Sequence, residues 1–515
     1  MRILLYFLAA AIPASAATCE SLAGMKLHNA TVTSAKAIPA GSFTPPGGRP
    51  LDNLPAFCRV EGTIKPNSDS DIQFELWMPA DGWNGKFQGI GNGGYAGAID
   101  FNGLAAMVTR GYAAAATDTG HRGGATDATW ALGHPQKVID FGYRAIHETA
   151  YNSKAILGGF YGDAPAHSYF QGCSDGGREA LMEAQRYPDD YDGIVAGAPA
   201  NDWTGLMSGG MWQQAALQDP AKAIPASKLP AIEAASLAAC DALDGVKDGV
   251  IDNPRACHFD PAKLLCKGAD GDTCLTAPQV EMLKMIYAGP ATAKGARIFP
   301  GYFPGGETGQ GGWAAWITGT AQAKAAGFQF SQQFFSQMVF EDAAWDFHTF
   351  QVERDSQAAG EKLAPVLNAT DPDLKRFADR GGKLILYHGW SDAAIPPQNT
   401  VDYFENVQKK MGARSADTFV RLFMAPGMQH CGGGPGPNVL TAPLDPQHDV
   451  RLALERWVEE GKAPERMIAS KFKTGNNPAS GVERTRPLCA YPLVAKWNGS
   501  GSTDDAANFT CVKPR

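Results

Sequence analysis

The sequence predicts an α/β protein: a mostly parallel sheet with helices on both faces, interrupted by a large insertion. Three observations carry that expectation. Strand-like and helix-like stretches alternate over residues 72–198, the alternation lapses over 203–369, and it resumes over 373–424. Residues 72–78 alternate apolar and polar side chains and predict a strand. Residues 86–90 predict a second strand, running into the glycine turn Gly91-Asn92-Gly93-Gly94-Tyr95. Short apolar runs at 112–117, 167–171 and 193–198 suit buried parallel strands, and 147–157 and 177–186 have helical character. After the lapse come a helix at 373–378, a strand at 383–387, a helix at 401–411 and a strand at 419–424. The Pro- and Gly-rich stretch 37–55 reads as loop.

A chain of 515 residues is long for one compact core, so a domain carrying an insertion is expected on size alone. The boundaries implied are a signal peptide at 1–16, a first part of the α/β domain at 17–202, a lid domain at 203–369, and a second part at 370–515. The net charge of −8 is modest and no basic stripe exists, which disfavours nucleic acid as a partner. Met1-Arg2, an apolar stretch over 3–12 and Ala14-Ser15-Ala16 have the form of a secretion signal. No later segment is apolar over the length a bilayer requires. A secreted or periplasmic protein without a membrane anchor is expected.

All ten cysteines lie beyond that signal, and an even count in an exported chain favours disulfides. Spacing suggests the local pairs Cys19–Cys58, Cys240–Cys257, Cys266–Cys274 and Cys489–Cys511. Cys173 and Cys431 are left to each other. No CxxC pair or histidine cluster supports zinc instead.

The strongest chemical signal is Gly172-Cys173-Ser174-Asp175-Gly176-Gly177, a G-x-S-x-G between an expected strand and an expected helix. That context is the nucleophile elbow of the α/β-hydrolase fold, where small neighbours let a strained serine project from a sharp turn. A serine hydroxyl becomes nucleophilic when a base takes its proton. The fold orders its triad as serine, acid, histidine. Asp392 follows the strand at 383–387 and His430 follows the strand at 419–424, so both stand where that order requires. His388 competes as a residue lining the site, His448 lies in a polar stretch, and Asp118 precedes the nucleophile and breaks the order. Cys173 is the rival nucleophile, but Ser174 occupies the apex.

Cys173 directly precedes Ser174, and Cys431 directly follows His430. If Ser174 and His430 meet, the two cysteines come within reach, because a disulfide needs Cα atoms about 4.4–6.8 Å apart. For the oxyanion hole, the amide of Asp175 is the expected first donor, with Gly93 or Gly94 supplying the second, resembling the glycine loops of lipases. Residues 241–252, Asp-Ala-Leu-Asp-Gly-Val-Lys-Asp-Gly-Val-Ile-Asp, space carboxylates and glycines as a calcium loop does. Cys240 and Cys257 bracket it, and it lacks the terminal glutamate of an EF-hand.

Taken together, these residues resemble the tannase and feruloyl esterase family over nearly the whole mature chain. The most specific match is the Cys-Ser…Asp…His-Cys arrangement, here Cys173-Ser174, Asp392 and His430-Cys431. The resemblance implies an α/β-hydrolase domain, a large lid over the active site, and esters of aromatic acids as substrates. It also implies a structural Ca²⁺ held by Asp241, Asp244, Asp248 and the carbonyl oxygens of Val246 and Val250. In the family branch that hydrolyses a terephthalate monoester, a lid arginine grips the free carboxylate. Here 313–350 contains no arginine, and Trp313, Trp316, Phe328, Phe330, Phe334, Phe335, Trp345, Phe347 and Phe350 gather there. The expectation is therefore a feruloyl esterase-like enzyme for phenolic acyl groups. Galloyl or terephthalate esters, peptides and thioesters are alternatives, as is a binding module on a hydrolase scaffold.

Overall fold

The computed structural model describes residues 18–514, so the expected signal peptide lies outside the described residues. At the centre is a nine-stranded mixed sheet. Its strands in chain order are β1 (Ala30–Ile38), β2 (Phe57–Ile64), β3 (Ile72–Pro79), β4 (Lys86–Ile90), β5 (Ala113–Thr117), β6 (His167–Cys173), β7 (Gly193–Gly197), β8 (Lys383–Gly389) and β9 (Val420–Ala425). They lie in the order β1-β2-β3-β5-β4-β6-β7-β8-β9. The pairs from β1 to β5 are antiparallel, and those from β5 through β4 to β9 are parallel.

The parallel strands are buried on both sides, which explains their unbroken apolar sequences: every residue of β5 and β7 is buried. Successive side chains still point to opposite faces. Ile194, Ala196, Leu384 and Leu386 pack with helices α2 (Ala145–Tyr161), α3 (Asp175–Arg186) and α6 (Gln398–Met411). Val195, Ile385 and Phe423 pack on the other face with α7 (Val450–Glu460). Ala114 and Ala116 meet α1 (Phe101–Thr109). Alanines and glycines in the central strands let these helices come close.

Two readings of the N-terminal region need correction. The stretch 37–55 is not all loop: β1 extends to Ile38, and Gly41–Phe43 pairs antiparallel with Leu51–Leu54. The Pro45-Pro46-Gly47-Gly48 tip of this hairpin dominates the local composition and hides its arms. The strands β1 and β2 also escaped the reading. β1 is an edge strand with only partial burial, and Cys19–Cys58 staples the segment before it to β2, with Cα atoms 5.5 Å apart.

Between β7 and β8, residues 203–369 are mainly helical and contribute no strand to the main sheet. Two helices matter below: α4 (Trp203–Leu217), started by the Asp202 side chain accepting the Gly205 N–H, and α5 (Ala326–Gln333). The loops and helical turns of the α/β domain share a second core with this insert around Tyr95, Phe141, Trp203, Phe334 and Phe335.

Candidate active site

Ser174 sits at the turn from β6 into α3 with φ 66° and ψ −122°, a conformation that costs a non-glycine residue energy. Its surroundings hold it there. The Ser174 N–H donates to Gly197 O at 3.0 Å, and its carbonyl accepts the Ala200 N–H at 3.0 Å. The motif's glycines are required by contact. A Cβ on Gly172 would lie 2.3 Å from Gly176 O, and one on Gly176 would lie 2.7 Å from Asn92 O. The elbow and the 91–95 loop therefore touch backbone to backbone.

His430 and Asp392 approach from the loops after β9 and β8. The His430 Nδ1–H donates to Asp392 Oδ2 at 2.8 Å, which leaves Nε2 as the basic nitrogen. The other carboxylate oxygen accepts the N–H groups of Ala394 at 2.7 Å and Ile395 at 2.9 Å. Burial pushes the Asp392 pKa up, but the charge of a protonated His430 and the hydrogen bonds from His388 and His430 outweigh it and hold the carboxyl well below the usual range. The acid is thus ionised wherever the histidine could act.

Cys173–Cys431 joins the end of β6 at the elbow to the His430 loop across 258 positions of sequence, with Cα atoms 6.0 Å apart. The other disulfides are Cys19–Cys58, Cys240–Cys257, Cys266–Cys274 and Cys489–Cys511, the pairs that spacing suggests. Gly93 and Gly94 line the same cavity as Ser174 and His430. Gly94 has φ +61°, and a Cβ there would meet Ala125 O at 2.3 Å. Among the described residues no backbone acceptor takes the N–H of Gly93, Gly94 or Asp175.

The cavity holds about 480 Å³ and has a largely apolar lining. Its roof comes from the insert: Leu206, Met207, Gln213, Trp316, Phe330 and Ser331. Of the aromatic cluster, Trp316 and Phe330 face the cavity, whereas Trp313 is buried within the insert and Phe328, Phe334 and Phe335 are buried in the core it shares with the α/β domain. Trp316 meets the His430 ring edge-on at 5.2 Å. Among the described residues no arginine or lysine lines the cavity, and Lys324 packs over Phe328 at 4.1 Å.

Three functional neighbours were not legible as such in the sequence. Arg178 is fully buried and donates to Asp175 Oδ1 at 2.6 Å, Gly142 O at 2.6 Å and Phe141 O at 2.9 Å. Its carbonyl partners lie in a π-helical turn, Asp140–Arg144, so the charge ties α3 to the start of α2. Glu179 Oε2 accepts the Asn92 N–H at 2.8 Å and pins the glycine loop. Two charged residues just inside an otherwise buried helix were the available signal. His388 does not line the cavity; it is completely buried behind Asp392. Asp118 Oδ1 caps the backbone of Gln73 and Gly120, and His448 pairs with Asp445, so neither competes.

The loop at 241–252 folds back on itself. Asp241 accepts the N–H groups of Asp248 and Gly249, each at 3.1 Å, and Asp244 accepts that of Val246 at 3.0 Å. Burial, reinforced by the neighbouring carboxylates, raises Asp244 and lifts Asp252 to about 7. Burial also raises Asp248, against the pull of Arg486 and Arg484. Crowded, partly desolvated hard oxygens fit the chemistry of Ca²⁺. Among the described residues the ligand atoms that converge within 4.8 Å are those of Cys266, Asp270 and Cys274, but these sulfurs are bonded to each other.

A nine-stranded sheet with its nucleophile elbow after β6, and acid and histidine loops after β8 and β9, defines an α/β-hydrolase fold. Comparison with known proteins narrows the class. A profile of the tannase and feruloyl esterase family matches residues 58–512. The chain is 45% identical to an uncharacterized esterase of Xanthomonas campestris over 99% of its own length and 95% of the relative's. It is 35% identical to the mono(2-hydroxyethyl) terephthalate hydrolase of Piscinibacter sakaiensis, over 90% of this chain and 85% of that one. The crystal structure of feruloyl esterase B from Aspergillus oryzae superposes with a TM-score of 0.89 at 31% identity, covering 96% and 99% of the two chains. The protein belongs to the tannase and feruloyl esterase family and is a carboxylic ester hydrolase.

Proposed function

We propose that the protein is an exported serine esterase that hydrolyses esters of phenolic aromatic acids, feruloyl-type ahead of galloyl. His430 Nε2 takes the Ser174 proton as Oγ attacks the ester carbonyl, and Asp392 holds the ring and stabilises its charged form. The Ser174–His430 contact closes as substrate arrives, as catalytic hydrogen bonds often do. The amides of Asp175 and of Gly93 or Gly94 take the oxyanion, His430 protonates the leaving alcohol, and water then releases the acid by the reverse route.

The observation that carries the acyl preference is the cavity wall beside Ser174. Trp316 and Phe330 suit an aromatic ring, and among the described residues the walls hold no arginine or lysine for a carboxylate. A terephthalate monoester would bury its charge without a partner, which is costly. Five disulfides support an exported protein. The 241–252 loop is proposed to hold one structural Ca²⁺ through Asp241, Asp244, Asp248 and the carbonyls of Val246 and Val250. The deciding measurement is kcat/KM for methyl ferulate, methyl gallate, mono(2-hydroxyethyl) terephthalate and a short aliphatic ester. Methyl ferulate is expected first. An aliphatic preference overturns the aromatic reading, and a terephthalate preference overturns the argument from missing cations.

A further inference from the structure

We infer that His388 is a positioning residue: a second, buried histidine that holds the Asp392 carboxylate in register for His430. The inference rests on the triad reading above and adds a member behind it. His388 Nε2 lies 3.0 Å from Asp392 Oδ2, the same oxygen that receives the His430 Nδ1–H, and 3.2 Å from the carbonyl oxygen of Ile395. Both neighbours are acceptors, so Nε2 carries the proton. Nδ1 faces Thr400 Oγ1 at 2.7 Å on α6, and the hydroxyl donates to it. Two acceptor oxygens on one side and a hydroxyl able to donate on the other select the Nε2–H tautomer for the neutral ring.

The consequence falls on the acid. Asp392 receives four donors, the N–H groups of Ala394 and Ile395 on Oδ1 and two imidazoles on Oδ2. A carboxylate bound on both oxygens has no freedom to rotate. It also shares its charge between two rings, which moderates the pull it exerts on the His430 proton. The titratable groups facing this cluster are Asp392, His430 and Tyr302, whose own ionisation burial and Asp392 oppose. Both His388 and the Asp392 side chain are wholly shielded from solvent. No water substitutes for the lost donor without a rearrangement.

The test uses Ser174-dependent hydrolysis of p-nitrophenyl acetate by His388→Ala, His388→Gln and Thr400→Val, each measured as kcat, KM and a pH profile. Loss of orientation is expected to lower kcat of His388→Ala on the order of 10²-fold with KM little changed. Freed from His388, Asp392 concentrates its charge on His430, so the acid limb of kcat/KM moves to higher pH. In His388→Gln the amide nitrogen stands near the Nε2 position, so most of kcat and the original limb are expected to return. Thr400→Val keeps the volume, releases the tautomer and should shift the limb in the same direction by less. A His388→Ala enzyme with unchanged kcat and limb overturns the inference. So does equal loss in the Ala and Gln variants with unmoved limbs, which would mark a packing role. Activity that survives Ser174→Ala would instead fail the esterase reading and leave no triad to position.

Discussion

Ser174, Gly93 and His430 stand on a floor whose backbone segments touch each other, whereas Trp316, Phe330 and Gln213 hang from a roof that meets it through side chains. On the floor, Gly172, Gly176 and the 91–95 loop leave no room for a Cβ, and the Cys173–Cys431 bridge crosses between the catalytic loops. The roof is joined by softer contacts. Trp316 lies nearly parallel to Phe330 at 6.2 Å, Phe330 tilts against Tyr95 at 5.4 Å, and the Tyr95 hydroxyl donates to Phe330 O at 2.8 Å. The difference teaches a division of labour. Chemistry needs atoms held within fractions of an ångström, which backbone contact and cross-links supply. Selectivity needs a surface that can be re-lined without moving the floor.

Substitutions can break or sharpen that contrast, and the largest effect is expected at the apex. Ser174→Ala should lower kcat at least about 10³-fold with an unchanged Tm, because no other group forms the acyl-enzyme. Residual activity near wild type would end the mechanism. Replacing Cys173 and Cys431 together by alanine should cost both stability and rate. Closure of so long a loop contributes on the order of 5 kcal/mol in the chain-entropy view, and nucleophile and base lose their common anchor. Unchanged Tm and kcat in that pair would show the floor rigid without its bridge.

On the roof, Phe330→Ala should raise KM for methyl ferulate about tenfold, with less effect on kcat and on a short aliphatic ester. An equal loss on both esters would mean that Phe330 serves folding rather than recognition. A fourth prediction concerns pH and the floor alone. Burial lowers His121 to about 4, where its Nε2 meets the Tyr95 carbonyl at 2.6 Å. An unfolded histidine titrates near 6.5. Above that pH the group is neutral in both states; between about 6.5 and 4 only the unfolded chain binds the proton, so stability falls as pH falls. His121→Gln should flatten that part of the Tm–pH curve, and an unaltered slope would locate the titration elsewhere.

The smallest expected effect on turnover is at the 241–252 loop, proposed to hold Ca²⁺, in the insert but away from the cavity. Chelation should lower Tm by about 2–5 °C and leave most of kcat. If Asp244→Ala with Asp248→Ala gives the same Tm with and without calcium as the parent protein, the loop is an acidic turn only.

Much of this is legible in the sequence because it is encoded locally. An elbow needs glycines at fixed offsets from a serine, buried parallel strands need unbroken apolar runs, and the triad order follows from the strand order. Cysteines adjoining Ser174 and His430 added a constraint that crosses the chain. The reading failed where the cause lay outside the local stretch. The hairpin arms beside Pro45 and Pro46 are recognised by their pairing rather than their composition.

The sequence by itself determined the α/β class, the identity of the serine, acid and histidine candidates, and the presence of an aromatic-rich insert, because each rests on residue type at short spacing. Tertiary structure alone decided which aromatics face the cavity, since the helical segments of 313–350 turn Trp316 and Phe330 one way and Phe328 and Phe334 another. It also decided the roles of Arg178, Glu179 and His388. Each is a polar group that survives burial only because backbone carbonyls, an amide or a carboxylate from a distant segment meets it. Such partnerships depend on how segments pack, and no spacing within one segment records them.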